Sequence, residues 1–150
     1  GRFQVPYRQV LLYPTDEHQK PQLLKSPYAE QVRPGLPGSH PAQIHLEAWA
    51  EITHVFQVQE AAVVRSLLPL HIWNDAFVVE RLQWKPKSPL YLLLLRVYRL
   101  ARPQVIPFMA NYKGCKSWIE LERAIAIAGS TAVLNDGEYS DRVRQIQARV

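Results

Sequence analysis

At 150 residues with 47% apolar content, the chain can bury about 68–70% of the surface it exposes when unfolded, which argues for a single domain over residues 1–150 and against disorder. Its longest apolar run, "LYLLLL" at residues 90–95, is far short of the roughly 18 residues that cross a bilayer, so no membrane partner is expected. The formal charge of +5 gathers in the second half, where residues 76–150 hold 12 basic and 6 acidic side chains against 6 and 7 in residues 1–75.

The first 25 residues carry six charged side chains and no sustained apolar core, which speaks against a secretory leader. One cysteine cannot form an internal disulfide, so a reducing, cytoplasmic setting is expected. "RFQV" and "YRQVLLY" read as two short strands, with Phe3, Val5 and Tyr7 alternating. The stretch from Pro14 to Pro41 holds six of the twelve prolines. A structureless loop of that length is uncommon in a compact domain, so a helical turn is expected at "SPYAEQV", capped by Ser26 with Pro27 at its first position.

"IHLEAWAEITHVFQV" carries the clearest pattern. Ile44, Leu46, Ala48, Ala50, Ile52, Phe56 and Val58 share one parity, and His45, Glu47, Glu51, Thr53 and Gln57 share the other. That alternation predicts a half-buried strand, bent somewhere along its length. "QEAAVVRSLL" predicts a helix ended by Pro69, and Asn74 caps a second short helix, "DAFVVERL". "LYLLLLRVYRL" predicts a strand covered on both faces in its first half, with "QVIPF" pairing beside it as an edge strand that tolerates Pro107. Tyr139, Val143, Ile146 and Val150 form one stripe of a C-terminal helix, flanked by Glu138 and Arg142 at i,i+4 spacing. The fold class is α+β: a mainly antiparallel curved sheet or partial β-barrel, two short helices between strands, and a helix at the C-terminus.

Several chemistries are excluded or weakened by spacing. "NYKGCKSWIEL" lacks the upstream glycine of a phosphate-binding loop, and Cys115 splits its Gly-Lys pair. One cysteine and five scattered histidines supply no zinc pattern, so no metal site and no cofactor are expected. Lys113 and Lys116 would favour a Cys115 thiolate, but no base stands near it in sequence, and a turn residue is the reading adopted. Asp16, Glu17 and His18 in "YPTDEHQK" are either a solvated turn or the acid–base group of a metal-dependent hydrolase or nuclease, helped by Glu47 and Glu51. Whether the chain is an enzyme stays open at this point.

No acid occurs between Arg81 and Ile119, while eight cations do. Arg81, Lys85, Lys87, Arg96, Arg99, Lys113 and Lys116, interleaved with Trp84, Tyr112 and Trp118, are the candidate binding residues. Phosphates select lysine and arginine, and bases stack on aromatic faces, so the expected partner is RNA or single-stranded nucleic acid, or a nucleotide. The competing reading makes some of these aromatics core and some of these cations a solvated rim.

"LLYPTDEHQKPQLLK", "HIWND", "RLQWKPKSPLYLLLLRVYRL" and "YKGCKSWIEL" together resemble an uncharacterised bacterial family, the domain of unknown function numbered 1802. Members usually carry more sequence before the equivalent of "GRFQV", so the resemblance implies that an N-terminal segment is missing here. The family brings no activity and no residue roles. The order strand, helix, helix, long strand is also similar to PUA-like barrels, many of which bind RNA or modified bases, an analogy at the level of fold alone.

Overall fold

The structure, a computed structural model, describes residues 3–15, 19–33, 40–84, 87–114 and 116–150. Its frame is a four-stranded antiparallel sheet in the order β1-β2-β3-β4: β1 is Gln9–Leu11, β2 Gln43–Val58, β3 Leu90–Pro107 and β4 Thr131–Ala132. The sheet is open rather than closed into a barrel. Among the described residues four helices accompany it: α1 (Ser26–Ala29), α2 (Ala61–Ser66), α3 (Asp75–Trp84) and α4 (Asp136–Gln147). None of these is long and apolar enough to cross a membrane.

β2 and β3 form one long ribbon whose register shifts twice. Ile52 pairs with Leu95 and His54 with Leu94, which makes Thr53 an extra residue on β2. Leu46 pairs with Gln104 and Ala48 with Arg99, so residues 100–103 of β3 stand opposite Glu47 alone. An unpaired excess bends and twists a strand, and it lets a long ribbon curl over a core. It also explains why "QVIPF" is the continuation of β3 and not a separate edge strand. Pro103 has no N–H to give a ladder, and it falls in the stretch that has no ladder partner on β2.

The alternation of β2 is seen in its burial. Ile44, Leu46, Ala50, Ile52 and Val58 are buried, and His45 and Glu47 are exposed. Phe56 and Glu51 are half-buried. Ile44 and Leu46 join Leu100, Ile106 and Tyr112 in the core cluster, with Leu11, Tyr13, Trp49 and Phe108 packed against it. Trp49, of the other parity, is half-buried rather than exposed. Its ring stacks on cross-strand Tyr98 at 4.3 Å, and its Nε1 donates to Ser130 Oγ at 3.0 Å.

Of "RFQV", the described residues Phe3, Gln4 and Val5 form no strand; Phe3 instead lays its ring near Tyr91 (5.2 Å) and Trp118 (6.0 Å). The ladder of β1 extends one residue at each end, where Ile52 N–H donates to the Arg8 carbonyl and Leu12 N–H to the Ala48 carbonyl. The Pro21–Leu24 part of the proline-rich stretch is tied to the α2–α3 connection. Asn74 Nδ2 donates to the Gln22 and Leu24 carbonyls, and Asn74 Oδ1 caps α3 by accepting from Phe77 N–H. Ser26 opens α1 from inside the helix, one residue past the true cap, Lys25, and makes no side-chain cap bond. α2 stops at Ser66, and Pro69 sits second in a separate 3₁₀ turn, Leu68–Leu70, where its missing N–H costs nothing.

Leu46 is fully buried and Glu47 beside it is exposed, so the two separate packing from polarity. Leu46→Ala is expected to cost about 2–5 kcal/mol, and Glu47→Ala less than about 0.5 kcal/mol, in urea denaturation of the whole chain. Equal losses for the two would contradict the assignment of the core to this face.

Candidate nucleic-acid interface

A cleft of about 1040 Å3 opens between the segment around β1, the chain from Tyr112 to Ile125, and the β2–β3 ribbon. Ile52, Leu93 and Leu95 supply apolar wall from the ribbon, and Arg81 reaches it from α3. Four of the residues singled out from sequence therefore meet here: Arg81, Tyr112, Lys116 and Trp118. They come from positions more than thirty apart because α3 returns the chain to the start of β3, and the chain after β3 folds back along the sheet.

Each holds a different role. Arg81 is exposed, with its guanidinium 5.1 Å above the Phe77 ring one helical turn earlier. Phe77 in turn stacks on Trp73 at 4.2 Å, so the cation rests on an aromatic ladder. Lys116 is exposed and donates from Nζ to the Asn111 carbonyl at 2.8 Å. Trp118 is half-buried, and its Nε1 donates to the Gln4 carbonyl at 3.0 Å. Tyr112 is 7% exposed; its ring meets Tyr13 edge-on and its hydroxyl accepts from Glu122 N–H. A ring so enclosed belongs to the core and offers no face to a base.

Arg96 is likewise occupied. It pairs with Asp136 at the start of α4 and lies over the rings of Tyr98 (5.7 Å) and Tyr139 (5.4 Å). The hydrogen bond that the guanidinium donates to the Asp136 carboxylate raises its pKa above the ordinary value. Its role is to hold α4 on the sheet, together with Tyr139, whose hydroxyl meets Thr53 Oγ1. Trp84, Lys87, Arg99 and Lys113 are exposed but do not line the cleft, and Trp84 is 70% exposed. Lys85, Cys115, Asp16, Glu17 and His18 lie outside the described residues.

Two cleft residues were not foreseen. Tyr7, 60% exposed, stands at the cleft wall, and Arg123 donates to the Val105 carbonyl at 3.0 Å. Ile119, Leu121, Ile125 and Ile127 are partly buried against the core cluster in a segment outside the strands that bends at Glu122 and Arg123. Their period of two was a readable signal, and Arg123 on the same parity was the anomaly that marked the site. Among the described residues three cations, Arg81, Lys116 and Arg123, and one acid, Glu120, line the cleft. Among the described residues no three His, Cys, Asp or Glu side chains converge, and Glu47 points to solvent.

His71 sits apart, at the turn before α3. Its Nδ1 accepts from Trp73 N–H at 3.2 Å, which places the hydrogen of the neutral ring on Nε2. Desolvation by burial, then the nearby Lys25 charge, lowers its pKa from the ordinary 6.5. Lys25 is fixed there by donating to the Leu68 and His71 carbonyls, each at 2.5 Å.

The chain belongs to the family described as a domain of unknown function (DUF1802), which it matches over residues 1–145. No curated protein and no solved structure matches it.

The lowered His71 pKa sets a direction for stability. As pH falls through 6.5 the unfolded chain takes up the proton before the folded one, so stability drops from there down through the folded pKa. Melting temperatures at pH 7.5 and 5.5 are expected to differ less in His71→Gln than in the parent chain. An identical difference in the two would show that His71 titrates as it does unfolded.

Proposed function

We propose that the chain is a binding module for single-stranded nucleic acid or a nucleotide, with its site in the cleft between Arg81 and the Tyr112–Ile125 segment. The observation that carries this reading is the meeting of Arg81, Lys116 and Trp118 in one cleft where Glu120 is the one acid among the described lining residues. Cations spaced along a groove neutralise phosphates, and exposed aromatic surface beside them accepts bases. Here Tyr7 and Trp118 supply that surface. The cleft lies at the upper end of the volumes that hold one small ligand, which favours a short strand over a lone metabolite. The likeness in element order to PUA-like barrels supports the reading by analogy only.

Titration of the whole chain with a fluorescent 15-nucleotide oligouridine at several salt concentrations tests the reading. Log affinity is expected to fall with log salt by about 0.7 per phosphate neutralised. Arg81→Ala combined with Lys116→Ala is expected to flatten the slope by roughly one unit or more. Tyr7→Ala, at an exposed position, is expected to cost about 1–3 kcal/mol of binding with the slope unchanged. Absence of salt-sensitive binding would leave the cations as a solvated rim and end the proposal.

A further inference from the structure

A second cavity, of about 410 Å3, opens between the Lys25–Tyr28 segment, the Pro69–Ile72 turn and α4, and Leu95 of β3 borders both cavities. Its rim gathers four large apolar side chains that the fold leaves exposed: Tyr28, Ile72, Leu95 and Leu134, at 36–43%. Apolar exposure concentrated around one concavity marks a binding surface. The polar side of the same cavity is cationic. Lys25 and Arg142 line it, and no carboxylate does among the described residues.

The donors there are only partly used. Two hydrogens of the Lys25 ammonium go to the Leu68 and His71 carbonyls, which leaves a third. His71, whose Nδ1 is engaged by Trp73 N–H, keeps a hydrogen on Nε2. The i,i+4 spacing suggests a Glu138–Arg142 pair, yet Glu138 turns the other way. Its carboxylate accepts from Asn135 N–H at 2.8 Å in a capping box, while Asn135 Oδ1 accepts from Glu138 N–H. Arg142 is thereby left without an ion-pair partner among the described residues.

We propose that this cavity binds a small amphipathic carboxylate, its charge held by Arg142, Lys25 and His71 and its hydrocarbon laid against Leu94, Leu134 and Ile146. A neutral His71 donates without adding charge to two cations that already lack a counterion. The volume suits a ligand of this size, within the ordinary range of small-molecule sites. A carboxylate satisfies donors that face no acid, and an alkyl chain covers side chains now facing water. The inference stands apart from the nucleic-acid reading, since among the described residues the two cavities share only Leu95.

Octanoate is the probe, with octanol lacking the charge and acetate lacking the chain, each titrated into the 15N-labelled whole chain. Octanoate is expected to shift the backbone amides of Tyr28, Ile72, Leu134 and Arg142 saturably, with neither control doing so at equal concentration. Arg142→Gln is expected to weaken octanoate binding about tenfold, the scale of one charge-assisted hydrogen bond. Should the free spectrum of that variant show a disturbed fold, Leu134→Asn replaces it, with weakening again expected. Absence of shifts with octanoate, equal shifts with octanol, or unchanged affinity in the well-folded variant would overturn the proposal.

Discussion

The antiparallel pairing of β2 with β3 is the constraint on which the remaining structure depends. It runs from Gln43 opposite Pro107 to Val58 opposite Leu90, and β1, β4 and α4 are attached directly to that ribbon. β1 adds only Gln9–Leu11 to one side and β4 only Thr131–Ala132 to the other. Neither strand is long enough to be stable by itself. The two register shifts let the ribbon curve, so Leu46 and Leu100 meet in one core although both flank the larger shift. Cleft residues Ile52, Leu93 and Leu95 belong to the same ribbon, so the site inherits its rigidity.

Charge was the least transferable part of the sequence reading. The acid-free stretch reads as a continuous basic surface, but a strand sends successive side chains to opposite faces. Arg96 is thus directed to Asp136, Tyr98 and Tyr139, and becomes part of the α4 attachment. Arg81 and Lys116 reach the cleft because one sits on a helix returning to the ribbon and the other on the chain that folds back after it. Capping chemistry redirected a charge in the same way at Glu138, whose carboxylate serves the helix N-terminus and leaves Arg142 beside the second cavity.

Period-two alternation located β2 to within one residue, because one face of that strand must be buried wherever it pairs. α3 and α4 were legible for a similar reason: Asn74 caps one, and the apolar stripe marks the other. The joining of "QVIPF" to β3 was not legible, since a proline inside a strand argues for an edge unless a register shift is known. The fate of Tyr112 was equally hidden. Only tertiary contact with Tyr13 and Glu122 distinguishes a core tyrosine from a stacking one. Arg123 could have been found from its place among alternating isoleucines and leucines, because a cation on an apolar parity needs an acceptor.

The most direct test of the cleft as the site of function is amide hydrogen exchange of the whole chain, with and without a 15-nucleotide oligouridine. Slowed exchange is expected in peptides covering residues 116–125 and the C-terminal turn of α3 around Arg81, with α4 unchanged. Protection confined to α4 or to the middle of β3 around the exposed Arg99, or no protection anywhere, would contradict it.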